Sequence, residues 1–434
     1  MTTSPTPPTV EPESGVDQTT VTPMRRFIPA IMLAQLGFSV AVIPPLQLLL
    51  ALRLDVISGA NATSAFSVVA GSGALCTVLF SPVAGRVSDR THARLGRRRT
   101  WMVAGSVLLA LALVAMTATT AVWQVVVLWC LAQVAGNFQY AANNAIVADQ
   151  IPPERRGGVS GLIGLVTALS PILGLGLANT FPAGGAGQWI VIATVALGVS
   201  LAGVLLFRDP RSTAPKRSPD LRTLARTLWL NPRRHPAFGW AWLVRFLIMC
   251  AYSSFSYTTF FLMNRFGVSA AKVGTLLLAI SLAAVACVAV ASVVAGYVSD
   301  ALKRQRLFVI FAGVFAAIAL VVLSGANSLA TVFLAYTLLG LAIGTFLAVD
   351  LALCVRVLPS VEDAGKDLAI INLANSLPQS LVPFAAPVLL AIGGYPALFL
   401  TLAVLALLGA VAVLRVPEVG RENAPGRAAP VARS

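Results

Sequence analysis

The sequence predicts an all-α transmembrane protein of twelve helices in two homologous six-helix bundles, with both termini cytoplasmic. Three observations predict it. Of 434 residues, 57% are hydrophobic and 11% charged, with a mean hydropathy of +0.85, whereas soluble domains carry about 25% charge. The apolar residues fall into runs of bilayer-spanning length, about 20 residues, punctuated by charge, Gly and Pro. The second half of the chain repeats the first.

In chain order, residues 1–24 are a tail rich in Pro, Thr, Ser and Glu with no apolar core, which reads as disordered cytoplasmic chain and not as a signal peptide. The N-terminal bundle, 25–207, holds spans at about 27–50, 64–87, 101–119, 122–148, 158–180 and 188–207. Residues 208–236, RDPRSTAPKRSPDLRTLARTLWLNPRRHP, are basic, proline-punctuated and too polar to span, so they form a cytoplasmic linker. The C-terminal bundle, 237–415, holds spans at about 237–263, 273–297, 307–324, 329–356, 367–392 and 396–414, and 416–434 form a second tail.

Charge orients these spans, because cytoplasmic loops retain Lys and Arg during insertion. The loops assigned outside hold only Arg53, Arg265 and Lys272, and every other basic residue except Arg245 falls at or beyond a cytoplasmic end. The excess of 31 basic over 16 acidic residues is thereby a topology signal, and no nucleic-acid partner is expected. Cys76, Cys130, Cys250, Cys287 and Cys354 lie inside apolar spans without CxxC spacing, which excludes a disulfide framework and a zinc site. The two histidines, His92 and His235, sit in loops. With no catalytic cluster in view, neither an enzyme nor a cofactor is expected.

The repeat is legible in short motifs. GRVSD (85–89) recurs as GYVSD (296–300) at an offset of 211, while Pro152, Gly158 and Pro171 recur as Pro359, Gly365 and Pro378 at an offset of 207. One shorter loop accounts for the difference, since eleven positions separate Asp89 from Thr100 and seven separate Asp300 from Leu307. Parallel repeats place a solute pathway between the halves.

Charge concentrates in GRVSDRTHARLGRRRT (85–100). Asp89, at the inner end of the second span, is placed to accept hydrogen bonds from a neighbouring helix N-terminus. Asp149, at the end of the fourth span, is the candidate partner for the arginines, with Arg156 seven residues beyond. At offset 207 these two map onto Arg356 and Asp363 with inverted signs. Gly85, Asp89, Arg90, Gly96, Arg97, Arg98, Asp149, Arg156, Asp300, Arg356 and Asp363 therefore form a candidate cytoplasmic gate, a bistable element that also fixes topology.

Within the spans, polar residues are costly and mark an interior or an aqueous path. Gln133, Asn137, Tyr140 and Asn144 lie on one face of the fourth helix, and Arg245, Tyr252 and Ser256 on one face of the seventh. Tyr336 and Asp350 share a face of the tenth, and the first helix offers Gln35 and Ser39. Arg245 and Asp350 are isolated charges about 9–12 Å from the inner ends of their helices, so their pairing would remove the cost of each. Arg245, Asp350 and Asp149 are the candidates for coupling transport to a proton or cation.

Gly85, Asp89, Arg90, Gly96, Arg97 and Arg98 resemble the loop motif between the second and third helices of the major facilitator superfamily, and the resemblance covers the chain except its tails. The long spacer in SDRTHARLGRRR, with LPSVEDAGKDLAIINLANSLPQSLVP (358–383), resembles the sucrose–proton symporters and the glycoside–pentoside–hexuronide transporters. Thr100 stands where those relatives commonly have proline, and the first helix lacks their acidic residue. The resemblance implies alternating access, a central cavity lined by helices 1, 4, 7 and 10, a charge cluster that breaks on inward opening, and a sugar-like small-molecule substrate.

A monomer in the lipid bilayer of the plasma membrane is expected. No G-x-x-x-x-G-K-[ST] motif occurs, so the driving energy is a gradient. The alternative is an efflux antiporter for a drug or metabolite: LSPILGLGL (169–177) partly resembles the exporters' Gly-Pro-x-x-Gly-Gly motif through Pro171 and Gly174. A non-transporting sensor on the same bundles is the more remote reading.

Overall fold

The computed structural model describes residues 22–209, 236–302, 304–356 and 364–416. Ten continuous helical stretches among them are long and apolar enough to cross a bilayer. Two are far longer than one crossing: Met24–Arg90 has 67 residues and Leu373–Arg415 has 43, about 100 and 65 Å of helix against a core of about 30 Å. Each folds back once, which makes twelve crossings.

The N-terminal helices are α1 (Met24–Pro44), α2 (Ala62–Arg90), α3 (Arg97–Ala115), α4 (Val122–Gln150), α5 (Pro153–Ala178) and α6 (Ala186–Leu206). The C-terminal ones are α7 (Pro236–Tyr252), α8 (Ala270–Leu302), α9 (Gln305–Ser324) and α10 (Leu329–Arg356), followed by one long helix, Ala364–Ala412. Gly393 and Gly394 depart from helical geometry inside it, Gly394 at φ +64°, and divide it into α11 (364–392) and α12 (395–412). The ends joined by the arginine-rich loop are called the basic face below.

Two spans run beyond the ends expected from the sequence. After α1 the chain continues through a π turn, Pro45–Leu49, into a further helix, Leu50–Ser58. Pro44 and Pro45 have no N–H to donate, and the Leu50 N–H reaches back to the Pro45 carbonyl, so the helix widens by one residue instead of stopping. After α7 a 3₁₀ turn, Ser253–Tyr257, leads into Thr258–Phe266, which ends at Gly267 with φ +61°. The two irregular turns begin 208 positions apart, so the internal repeat extends to the break in its first helix.

Within the first half, α4 packs on α2 and α3, α6 on α1 and α3, and α1 on α5. In the second half, α10 packs on α8 and α9, and the α11–α12 segment on α7 and α9. The halves meet where α2 packs on α11 and α5 on α8. Lipid supplies no hydrophobic drive for helices to associate, so small residues that admit close backbone approach carry the packing. At Gly340 of α10 an added Cβ would lie 2.6 Å from the Ala284 carbonyl oxygen of α8, so this crossing needs glycine.

Candidate functional site

The basic-face cluster converges on Arg98, whose side chain is 5% exposed. Its guanidinium holds Asp89 Oδ1 at 2.6 Å, Asp149 Oδ2 at 3.0 Å and Ser88 Oγ at 3.0 Å, and Arg97 reaches the same Asp149 oxygen at 3.0 Å. The cluster thus ties α2, α3 and α4. Charge-assisted bonds of this kind are about twice as strong as neutral ones.

The partner at the α3 N-terminus is not Asp89. Asp209, just past α6, accepts the backbone N–H groups of Arg98 (2.6 Å) and Arg99 (3.0 Å). Asp89 is drawn instead to the Arg98 guanidinium, a full charge against a helix end's partial one. Gly96 adopts φ +101°, and a Cβ there would lie 2.5 Å from Asp209 Oδ2, which accounts for the glycine of the motif. Thr100, the residue in place of proline, donates its hydroxyl to the Gly96 carbonyl at 2.7 Å.

Arg156 does not meet Asp149. It donates to the carbonyls of Ala148 and Ile151, each at 2.9 Å, where the end of α4 leaves backbone oxygens unpaired. Gly85 is half-buried and Arg90 exposed. The side chains of Asp300 and Arg356, and the whole of Asp363, lie outside the described residues, as do the tails 1–21 and 417–434 and the linker segment 210–235.

At the opposite face the halves are sealed. Ser67 of α2 and Tyr257 share a hydrogen bond of 2.9 Å, the Thr259 hydroxyl donates to the Gln47 carbonyl, and Asn264 donates to Thr63 at 3.4 Å. Phe66 packs edge-on against Tyr257 and Phe260 at 5.5 and 5.2 Å. Gln47 belongs to the π turn and Tyr257 to the 3₁₀ turn, so the two irregular segments form this seam.

Cβ atoms added at Gly85 of α2, at its repeat Gly296, or at Gly157, Gly158, Gly161, Gly164 and Gly176 of α5 would meet nothing within 4 Å. Within α5, Gly174 packs directly onto Pro44 of α1, and Pro171 lies inside the helix. That packing is the structural role of LSPILGLGL in this conformation.

In the membrane interior the two isolated charges are brought together. The Arg245 Nη1 group contacts Asp350 Oδ2 between α7 and α10, with side chains 11% and 4% exposed, and Arg245 Nε donates to Asn375 Oδ1 of α11 at 2.8 Å. Trp242, one turn away, donates to the Ile370 carbonyl at 2.8 Å and stacks on Phe246. The triad Arg245–Asp350–Asn375 therefore joins three helices.

A neutral triad occupies the other half. Gln35 of α1 donates through Nε2 to Thr167 of α5 and to Ser39, both at 3.3 Å, and accepts from Asn143 of α4 at 3.4 Å. On α4, Asn137 is buried with its amide on the Gln133 carbonyl, Gln133 is half-buried, and Tyr140 and Asn144 are exposed. Tyr140 stacks on Phe38 at 5.3 Å. Gln35 and Ser39 are buried. On α7, Tyr252 is exposed, and Ser256 in the following turn is half-buried. Tyr336 is buried, and it accepts a hydrogen bond from Thr258.

Sequence reasoning missed Asp209, Asn143, Thr167 and Asn375. Asp209 is hidden by the basic linker that follows it. The other three differ from ordinary helix-packing residues only in their tertiary neighbours.

No curated protein matches the chain. Among solved structures it is similar to the human organic anion transporter MFSD10 (TETRAN) at 19% identity and TM-score 0.65, over 90% of this chain and 99% of that one. A POT family transporter in complex with a thioalcohol-conjugated peptide aligns at 13% identity and TM-score 0.68, over 90% and 95%. A bacterial homologue of the human lysosomal transporter Spinster, inward-facing and unoccupied, aligns at 13% and 0.61, over 90% and 94%. At such identities the likeness is one of fold. The family model described as Major Facilitator Superfamily matches residues 27–291 and 278–433, nearly the whole chain, and with the twelve helices and their paired halves it follows that the chain belongs to the Major Facilitator Superfamily of membrane transporters.

Proposed function

We propose that this transporter is proton-coupled and moves a small polar, sugar-like solute by alternating access, with Asp350 carrying the proton and Arg245 as the partner it holds or releases. The observation that carries the reading is the Arg245–Asp350 pair, buried between α7 and α10 and tied to α11. Ionisable groups at that depth are expensive and mark functional positions. Protonating the carboxylate releases the arginine and changes what holds α7 to α10, so one proton biases how these helices pack.

The basic face is cytoplasmic in this reading, the membrane is the plasma membrane, and the protein works as a monomer in symport. The sealed seam at the opposite face supports a carrier that opens inward. The Arg97–Arg98–Asp89–Asp149 cluster then braces the N-terminal half at its cytoplasmic end. Closure on that side brings α2 and α5 against their partners.

Vesicles reconstituted with the protein and given radiolabelled sucrose under an imposed pH gradient test the reading. Wild type accumulates label uphill, while Asp350→Asn loses uphill accumulation and keeps downhill exchange. Full uphill transport with unchanged pH dependence in Asp350→Asn rejects Asp350 as the coupling group. Proton-driven movement in the other direction replaces symport by antiport.

A further inference from the structure

At the face opposite the basic one, a cavity of about 310 Å³ lies between α3 and α4. Its walls are Ala115 at the end of α3, Ala118 and Thr119 just beyond it, and Trp123, Gln124 and Val127 in the first turns of α4. The halves meet mainly through α2, α5, α8 and α11, and α3 is not among them, so the cavity lies on the outer side of the N-terminal bundle. Trp123 is 66% exposed there. Tryptophan suits this level of a membrane, since its ring favours an apolar surface and its N–H a wet one.

From the cavity an apolar track runs toward the middle of the bilayer. Leu108 and Leu111 of α3 and Val127 and Leu131 of α4 are exposed. They share helical faces with Ala115 and Trp123 through spacings of four and seven. From Trp123 to Leu131 is about 12 Å by helix rise, against about 15 Å for half of the hydrocarbon core.

The other end is polar and positive. Arg53, in the helix Leu50–Ser58, donates through Nε to Thr119 Oγ1 at 3.0 Å and through Nη2 to the carbonyls of Thr117, at 3.1 Å, and Thr119. It therefore stands directly behind a wall of the cavity. Among the described residues no acidic side chain pairs with Arg53, so only dipoles offset its charge. Gln124 Oε1 accepts the backbone N–H groups of Thr120 at 2.6 Å and Ala121 at 3.2 Å, which leaves the amide NH2 as a donor on the cavity wall. The second half keeps the arginine, as Arg265 at an offset of 212 with Nη2 on Asn327 Oδ1 at 3.4 Å, but has Ala330 and Thr331 where offset 207 places Trp123 and Gln124. The cation belongs to both halves; the indole and the free amide belong to this one.

We infer that the α3–α4 cavity binds an anionic phospholipid of the leaflet opposite the basic face. One acyl chain lies along the track from Trp123 to Leu131, and the phosphate accepts from Gln124 Nε2 under the charge of Arg53. A zwitterionic lipid carries its own cation beside the phosphate and gains less from the arginine. The inference does not rest on the transport reading, since the site lies outside the path between the halves.

Quenching of Trp123 by brominated lipids tests it. The chain has seven tryptophans, so the Trp123 signal is the difference between wild type and Trp123→Phe. In phosphatidylcholine vesicles, brominated phosphatidylglycerol quenches that signal at a mole fraction about fivefold lower than brominated phosphatidylcholine does, the factor equivalent to about 1 kcal/mol for one arginine near an anionic lipid. The preference is lost at high salt and in Arg53→Gln, and is kept in Arg265→Gln. Ala118→Phe, whose ring fills the cavity from an exposed position, lowers quenching by both lipids. Equal quenching by the two lipids in wild type, a preference that survives high salt or survives in folded Arg53→Gln, or unchanged quenching in Ala118→Phe overturns the inference. The salt series needs wild type alone and decides the headgroup if Arg53→Gln does not fold.

Discussion

Replacing Asp350 and Arg245 singly and together separates a mutually dependent charge pair from two independent polar residues. Their side chains are 4% and 11% exposed, and removing one member of such a pair strands a buried charge at a cost of about 3–5 kcal/mol. In Asp350→Leu the stranded Arg245 keeps its bond to Asn375 Oδ1 at 2.8 Å, and a hydrogen bond to a charged donor is worth about 1.5–3 kcal/mol. The expected cost is therefore at the lower end, about 3 kcal/mol. Arg245→Leu removes the guanidinium from the buried Asp350 carboxylate, and a cost in the same range, about 3–5 kcal/mol, is expected.

The double variant Arg245→Leu/Asp350→Leu removes both charges and fills the space with apolar atoms, so it should lie within about 1–2 kcal/mol of wild type. Reversible unfolding in mixed micelles, followed by circular dichroism, measures all four corners of the cycle. The interaction energy should be about 3 kcal/mol or more. A double variant as unstable as the sum of the two singles would refute the pairing as the reason these charges are tolerated, and transport by the double variant should be downhill only.

Two further predictions concern the ends of the molecule. Asp209→Ala removes the acceptor for two N–H groups of α3 and should cost about 0.5–2 kcal/mol, read as a lower melting temperature of the purified protein; no change would mean that Asp209 does not cap α3. Gly161→Trp places a large side chain on α5 where an added Cβ meets nothing within 4 Å and, on the proposed closure of α5 against its partner, should slow transport at least tenfold with little change in melting temperature, because it leaves the present packing untouched. Wild-type transport rates in that variant would refute closure along α5.

Much of the architecture was legible because hydropathy, charge asymmetry and repeat spacing are local properties of the chain. Twelve spans, the arginine-rich loop, the attraction of Asp149 for its arginines, and the isolation of Arg245 and Asp350 all follow from counting along the sequence. The α4 stripe shows where such counting stops. Gln133, Asn137, Tyr140 and Asn144 share a helical face, yet Asn137 is buried while Tyr140 and Asn144 are exposed, because the stripe runs along the edge between the α4 packing surface and open space. Asn143, one residue beside the stripe, is the one that reaches Gln35.

The sequence by itself determined how many times the chain crosses the membrane and that its halves are copies, since each is set by composition within a span or by spacing between spans. Only the tertiary structure decided which polar residues meet. Gln35 and Asn143 are 108 positions apart, Arg98 and Asp209 are 111, and Arg245 and Asn375 are 130. Their partnership depends on the rotation of each helix about its axis, which is set by small residues such as Gly340 that let neighbouring backbones close. The repeat could be read from the chain, but that a neutral triad stands in one half and a charged one in the other is visible only in the tertiary contacts.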